Sequence, residues 1–108
     1  MNCRIPFSFA VNRTTLPAGA YSISSSGGVV LLRGARSSAA VLTIFADRRS
    51  DQEGLSKVVF LRTGDHYELV EIWSSDGIER EVPGARKHAV ERARLANVTV
   101  ERIAIVAN

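Results

Sequence analysis

Residues Lys57 to Trp73 read KVVFLRTGDHYELVEIW, and this stretch decides the fold. Two runs of β-branched and aromatic residues flank the dipeptide Gly64-Asp65. Glycine in the first central position suits a type II′ turn, because that position requires a positive φ. The stretch therefore predicts a β-hairpin with a two-residue turn. The cross-strand pairs expected from this turn are Arg62 with Tyr67, Phe60 with Leu69, and Val58 with Glu71.

Both faces of the predicted hairpin are largely apolar. In the expected register, one face carries Val58, Phe60, Tyr67, Leu69 and Trp73, and the other carries Val59, Leu61, Val70 and Ile72. Strands with two apolar faces are typical of a sheet that is covered on both sides. We therefore expect the hairpin in the middle of a sheet, with a barrel interior on one side and a helix or a second subunit on the other.

The remaining segments predict short strands about ten residues apart, separated by turns of Gly, Ser, Pro and Asp. These strands are expected at Cys3 to Val11, Ala20 to Ser24, Val29 to Arg33, Ala39 to Ala46, Ile78 to Val82 and Val98 to Val106, with a long polar loop from Asp47 to Ser56. A stripe of small apolar residues, Ala85, Ala89, Ala93 and Ala96 joined by Val90, predicts one helix from Ala85 to Ala96, which Asn97 can end in the left-handed conformation. The prediction is a single mainly β domain, residues 1–108: a small antiparallel barrel or sandwich of about seven or eight strands, with one helix before the final strand.

Composition restricts the class of protein. With 45% hydrophobic and 23% charged residues, the chain has the ordinary composition of a globular domain. Cys3 is the only cysteine, so neither an internal disulfide nor a cysteine-based metal site is expected, and we predict no metal and no cofactor. No apolar run approaches the ~20 residues that span a bilayer. The strand pattern begins directly after Met1, which fits either a cytoplasmic protein or an exported one whose leader has been removed.

No set of residues predicts catalysis. Asp65, His66 and Glu68 lie at the tip of the hairpin, where we expect them to be exposed, and turn chemistry explains Asp65. His88 and Glu91 are three residues apart on the helix, and a surface ion pair explains this spacing. We therefore predict no catalytic residue and a protein that is not an enzyme. A small hydrolase that uses His66 or His88 is the weakest alternative.

The net charge of +3 is concentrated on the predicted helix. The basic residues there are Arg86, Lys87, Arg92 and Arg94, against the single acid Glu91. Such a helix could bind nucleic acid or another polyanion through its phosphates. The helix has no aromatic residue and no Gly-rich segment nearby, so a solvated basic face is favoured over nucleic-acid binding.

Most of the aromatic residues are expected on one side of the sheet, which predicts a packed aromatic core. Six of the seven belong to this set: Phe7, Phe9, Tyr21, Phe60, Tyr67 and Trp73. The alternative is a small pocket for an amphiphilic ligand, rimmed by Arg62, Tyr67 and Trp73 and covered by the loop from Asp47 to Ser56. Glu71, the acidic residue expected on the aromatic face, would lie at its floor and needs a partner, for which Arg62 is the candidate.

The apolar segments exceed what the interior of one small barrel can hold, and one helix cannot cover them. This excess predicts a homodimer that forms through an apolar face lined by strands. The leading functional prediction is therefore a domain without enzymatic activity that acts by binding or self-assembly.

Several short motifs follow one another along the chain, each occurring once. They are PFSF at 6–9, LPAGAY at 16–21, GDHY at 64–67 and REVP at 80–83. In this order the motifs resemble a group of small, uncharacterised bacterial β-proteins that usually begin with a secretory leader. The resemblance covers nearly the whole chain. It implies an exported β-protein, periplasmic or secreted, and it implies no catalytic or binding residue.

Overall fold

The computed structural model describes residues 1–49, 55–75 and 78–108. Within these ranges the strands are β1 (Asn2–Ile5), β2 (Phe9–Val11), β3 (Thr14–Leu16), β4 (Gly19–Ser26), β5 (Val29–Arg33), β6 (Ser38–Leu42), β7 (Ile44–Arg49), β8 (Ser56–Thr63), β9 (His66–Trp73), β10 (Ile78–Glu81) and β11 (Val100–Ala107), and the helix α1 is Ala85–Ala96. The predicted fold class is confirmed, and so are the bounds of the helix and the presence of a final strand after it, which spans Val100–Ala107 rather than Val98 to Val106. The described residues form eleven strands rather than seven or eight, because two predicted strands are each divided and β3 was not predicted.

The strands form two sheets. Four strands pair in the order β1-β4-β5-β6, and the second sheet has the order β11-β8-β9-β10-β7, with β2 beside β9 and β3 beside β2. All pairs are antiparallel except β2 with β9. Backbone hydrogen bonds between Asn2 and Asn108, of 3.0 and 2.8 Å, join the ends of β1 and β11. Despite this connection the described strands do not close into a barrel, and the architecture is a sandwich with one outer helix.

Two interruptions divide strands that were predicted as continuous. The segment Cys3 to Val11 changes sheets between β1 and β2, after Pro6, which has no N–H to donate to a sheet. The segment Ala39 to Ala46 is broken at Thr43, where β6 ends in one sheet and β7 begins in the other. The Thr43 N–H and hydroxyl both donate to the Gly28 carbonyl, at 2.6 and 2.9 Å, so this residue forms the corner.

The predicted long loop from Asp47 to Ser56 is shorter at both ends than expected. Strand β7 continues to Arg49, and β8 begins at Ser56. The part of this prediction that falls on residues 50–54 lies outside the described residues.

The central hairpin, β8 and β9, has the predicted turn but not the whole predicted register. Gly64 has a φ of 63°, and the expected pairs of Arg62 with Tyr67 and of Phe60 with Leu69 are confirmed. Beyond them the register shifts, because Val59 pairs with Glu71 and Val70 becomes the extra residue of a β-bulge. The predicted pair of Val58 with Glu71 is therefore wrong, and Val58 lies opposite Ile72.

The bulge exchanges the faces of the residues that follow it. Side chains alternate along a strand, so one additional residue turns every later side chain to the other side of the sheet. Glu71 and Trp73 share a face with Val59, whereas Ile72 shares a face with Phe60. The expectation that Trp73 and Glu71 belong to the aromatic face is therefore also wrong. The Val70 carbonyl accepts a hydrogen bond of 3.0 Å from the Val82 N–H, which anchors the bulge to the segment before the helix.

The Phe60 face of the hairpin contributes to the core between the two sheets. Phe60 is fully buried, and its ring meets the rings of Phe7 and Phe9 edge to face at 5.0 and 5.3 Å. Phe9 also contacts Tyr21 on β4, while Phe7 stacks on Tyr67 at 3.8 Å. The aromatic core thus joins the hairpin to the four-stranded sheet, without Trp73.

The helix α1 covers the opposite face of the seven-stranded sheet. Its buried residues Ala85, Ala89 and Ala93 allow it to approach β8, β9 and β11 closely. Asn97 ends the helix as predicted, with a φ of 56°, and the Val98 N–H donates to the Ala93 carbonyl at 3.0 Å. Within the described ranges, no helix has the length and apolar character needed to cross a membrane.

Candidate functional site

The four residues predicted to surround a ligand form two separate groups. Arg62 and Tyr67 lie opposite each other near the hairpin turn, on the side of the sheet that faces the core. The Arg62 guanidinium is 5.7 Å from the centre of the Tyr67 ring, and its Nε donates to the Gly64 carbonyl at 2.8 Å. The Tyr67 ring is stacked on Phe7. Both side chains are therefore engaged at the tip of the hairpin.

The other two predicted residues, Glu71 and Trp73, lie on the helix side at the opposite end of the hairpin. The bulge at Val70 places them there, so the structure does not bring them together with Arg62 and Tyr67 around one pocket. Arg62, the partner expected for Glu71, instead lies 3.8 Å from the carboxylate of Glu101.

Glu71 is the centre of a buried polar group that we call the Glu71 cluster, formed by Glu71, Trp73, Arg86 and Arg102. Glu71 is only 3% exposed. Its carboxylate accepts hydrogen bonds from Trp73 Nε1 at 2.9 Å, from Arg86 Nη2 and from Arg102 Nη2 at 3.4 Å. Arg86 also lies 4.0 Å from Glu81. The cluster connects β9, β11 and the first turn of α1 through one carboxylate.

Two opposing effects act on the pKa of Glu71. Burial disfavours the charged carboxylate and by itself raises the pKa. The hydrogen bonds from Trp73 and Arg86, with the positive charges of Arg86 and Arg102, outweigh burial and hold the pKa below its ordinary value. Glu71 is therefore ionised at neutral pH, and the charged form is the one that attaches the helix to the sheet.

Sequence reasoning missed Arg102 as a member of this cluster. Arg102 lies opposite Leu61 in the β11–β8 ladder, which turns it toward the helix side. The β-branched pattern of the last strand identifies a strand, but it does not say which partner strand lies next to it or in which register. The acidic residue Glu71 between apolar neighbours was the available signal, and it correctly indicated that a buried carboxylate needed a partner.

The four basic residues predicted to bind a polyanion do not act as one surface. Arg86 is bound to Glu71, and Arg94 forms an ion pair with Glu91. Among the described residues, Lys87 and Arg92 have no ion-pair partner and remain available to an anion. Two of the four charges are thus compensated within the fold, which weakens the predicted attraction to phosphates.

Three exposed apolar side chains lie close together in sequence, where β6 ends and β7 begins. We call Leu42, Ile44 and Phe45 the apolar edge; their exposed fractions are 70%, 54% and 59%. Strand β7 is terminal in the order of its sheet and pairs only with β10 within the described part of the chain. Ile44 lies opposite Glu81 and Phe45 opposite Arg80, so the two side chains point to different faces of the sheet. The Arg80 guanidinium covers part of the Phe45 ring, at 4.8 Å.

A cleft of about 640 Å³ separates this edge from the helix. Its apolar walls include Ile44, Val82 and Val90, and its charged lining consists of two cations and two carboxylates, Arg86, Lys87, Glu81 and Glu91. Val90 was expected on the buried stripe of the helix, but it is 52% exposed and faces this cleft. Exposed apolar side chains therefore lie on both sides of the cleft, Ile44 at the apolar edge and Val90 on the helix.

Comparisons with protein-family models, with curated proteins and with solved structures each found no match for this chain.

Proposed function

We propose that this chain is an exported β-domain without enzymatic activity that acts by self-assembly, as a homodimer formed through the apolar edge. The observation that supports the proposal is the position of Ile44 and Phe45 on β7, a terminal strand that carries exposed apolar side chains on both faces. Export depends on the resemblance of the sequence motifs to exported bacterial proteins.

A terminal strand with free backbone groups is a template for another strand, and soluble proteins usually protect such strands with charges, prolines or bulges. The described side chains of β7 that lie at this edge are apolar instead. Two copies of β7 can pair antiparallel about a twofold axis, because such an interface is self-complementary. Complete burial of a large apolar side chain contributes about 1.5–3 kcal/mol, so half-exposed Ile44 and Phe45 would each contribute about 1 kcal/mol per copy, or about 4 kcal/mol for the dimer. A micromolar dimer requires about 8 kcal/mol, and the backbone hydrogen bonds of the new strand pair, at about 0.5–1.5 kcal/mol each, would supply the remainder.

Sedimentation equilibrium of the untagged chain tests the proposal. We expect a dimer at micromolar concentration, and we expect the paired change Ile44→Lys with Phe45→Lys to produce a monomer, since like charges would face each other across the twofold axis. Leu95→Lys is the control, because Leu95 is 73% exposed on the helix and does not line the cleft next to Ile44. A wild-type monomer at high micromolar concentration would contradict the proposal.

Binding of a small amphiphile is the alternative that one observation supports. The cleft between the helix and the apolar edge combines apolar walls with Lys87, a cation without an ion-pair partner among the described residues, which suits an apolar chain with an acidic head group, although Glu81 and Glu91 also line the cleft. The two functions are distinguished by titrating a fatty acid into the protein. Saturable binding to a wild-type monomer, lost in Val90→Lys, would favour the amphiphile over the dimer.

A further inference from the structure

Three polar side chains with unbonded atoms lie together at the tip of the central hairpin, on the helix side of the sheet. Thr63 is directly opposite His66, and Glu68 follows two residues later on the same face of β9. Thr63 Oγ1, His66 Nε2 and Glu68 Oε2 are buried and have no hydrogen-bond partner among the described residues. We call these three residues the tip cluster.

Glu68 makes this arrangement unusual. It is only 2% exposed, whereas the tip of a hairpin was expected to leave it in water. Within the described ranges no Arg or Lys forms an ion pair with it, and its one ion-pair candidate is the His66 imidazole. A buried carboxylate is costly without a compensating cation or hydrogen bonds, and buried polar atoms are nearly always bonded. Among the described residues, the tip cluster therefore has no partner with a permanent positive charge, and three of its buried polar atoms are unbonded.

The distance between the nitrogen of His66 and the carboxylate of Glu68 indicates what that partner is. His66 Nε2 and Glu68 Oε1 are 3.6 Å apart, which is beyond hydrogen-bond distance. Two ligands of one tetrahedral zinc ion, each about 2.0–2.2 Å from the metal, lie about 3.4 Å from each other. The two atoms are thus close to the separation at which one metal ion binds both.

We propose that Thr63, His66 and Glu68 bind a divalent transition-metal ion of the zinc type. The His66 imidazole and the Glu68 carboxylate are the strong ligands, the Thr63 hydroxyl is a weak third one, and water completes the coordination. The His66 side chain is 31% exposed while its Nε2 is buried, so the proposed ion would lie just beneath the surface of the hairpin tip. With two strong ligands, the affinity is lower than that of a closed site with four protein ligands. This site is independent of the dimer proposed above.

The test uses the untagged chain with Cys3→Ser, because a thiol is a competing zinc ligand. Isothermal titration with Zn²⁺ is expected to give one ion per chain, and Zn²⁺ should raise the midpoint of thermal unfolding whereas Mg²⁺ should not. Both effects are expected to disappear in His66→Gln and in Glu68→Gln. His88→Gln is the matched control, because it removes the other histidine and should bind zinc like the parent.

Nuclear magnetic resonance of the imidazole nitrogens supplies a readout that does not depend on stability. Saturating Zn²⁺ should shift the Nε2 resonance of His66 and leave that of His88 in place. Two results would overturn the proposal. One is that Zn²⁺ changes neither the unfolding midpoint nor the His66 resonance, and the other is that His66→Gln binds Zn²⁺ as tightly as the parent.

Discussion

The indole Nε1 of Trp73 donates a hydrogen bond of 2.9 Å to a carboxylate oxygen of Glu71. Both side chains are on the helix side of the sheet because the bulge at Val70 turns them there. In that position the carboxylate also binds Arg86 at the start of the helix and Arg102 on the last strand. One buried acidic residue thereby connects three elements that are far apart in sequence.

Glu71→Gln is expected to lower the free energy of unfolding by about 1–3 kcal/mol. Removing one partner of a fully buried ion pair typically costs about 3–5 kcal/mol, but Arg86 and Arg102 are about half exposed and can turn toward water. Urea denaturation measures the change. Glu91→Gln is the control, because its ion pair with Arg94 is exposed and is worth at most about 1 kcal/mol. Equal stability of Glu71→Gln and wild type would show that the cluster does not attach the helix.

The contribution of Glu71 to stability is expected to depend on pH. Its pKa in the folded protein lies below the ordinary value of 4.5 because the bonds from Trp73 and Arg86 and the nearby arginine charges outweigh burial. A lowered pKa stabilises the fold fully above the unfolded-state pKa, and this stabilisation is lost as the pH falls through the folded-state value. The difference in unfolding midpoint between wild type and Glu71→Gln should be constant near neutral pH and should shrink below 4.5. A difference that grows on acidification would contradict this sign.

Arg86 and Lys87 are adjacent cations on the helix with different expected roles. Arg86→Gln removes a charged hydrogen bond to the buried Glu71, and we expect a loss of about 0.5–1.5 kcal/mol, reduced by the partial exposure of Arg86. Lys87→Gln removes the same formal charge without breaking an ion pair of the described residues, so it should change stability by less than about 0.5 kcal/mol. Thermal and urea unfolding of both variants make the comparison. Equal effects would mean that net charge matters and the Glu71 contact does not.

Gly34→Ala is expected to destabilise the protein by about 1–3 kcal/mol. A Cβ at Gly34 would lie 2.8 Å from Cε1 of Tyr21. The Tyr21 ring has little freedom to move, because it is buried and its hydroxyl donates to the Pro17 carbonyl at 2.5 Å. At an unstrained, exposed position, Gly→Ala would instead stabilise the protein slightly, because alanine lowers the conformational entropy of the unfolded chain.

A double-mutant cycle identifies the contact behind this effect. In a Tyr21→Leu background, the cost of Gly34→Ala should fall, since the colliding ring atom is gone. An unchanged cost would place the strain elsewhere in the turn.

Much of the fold was predictable because the responsible signals are local. The helix Ala85–Ala96 is determined by its stripe of alanines and by Asn97, and the hairpin turn by Gly64, all within a few residues of the structure that they specify. The break at Thr43 was not predictable, because the apolar run around it fits one continuous strand as well as two.

The candidate site was only partly predictable for a related reason. The sequence by itself determined a mainly β chain with one helix, and it indicated that Glu71 is buried and needs a cation. Only the tertiary structure decided that the cations are Arg86 and Arg102, and that Glu68 is buried too. Around the bulge both faces of the strands are apolar, at Val58, Val59, Val70 and Ile72. The hydrophobic pattern therefore fits the register with the bulge and the register without it equally well. The register depends instead on contacts such as that between Val70 and Val82, which exist only after distant parts of the chain have packed together.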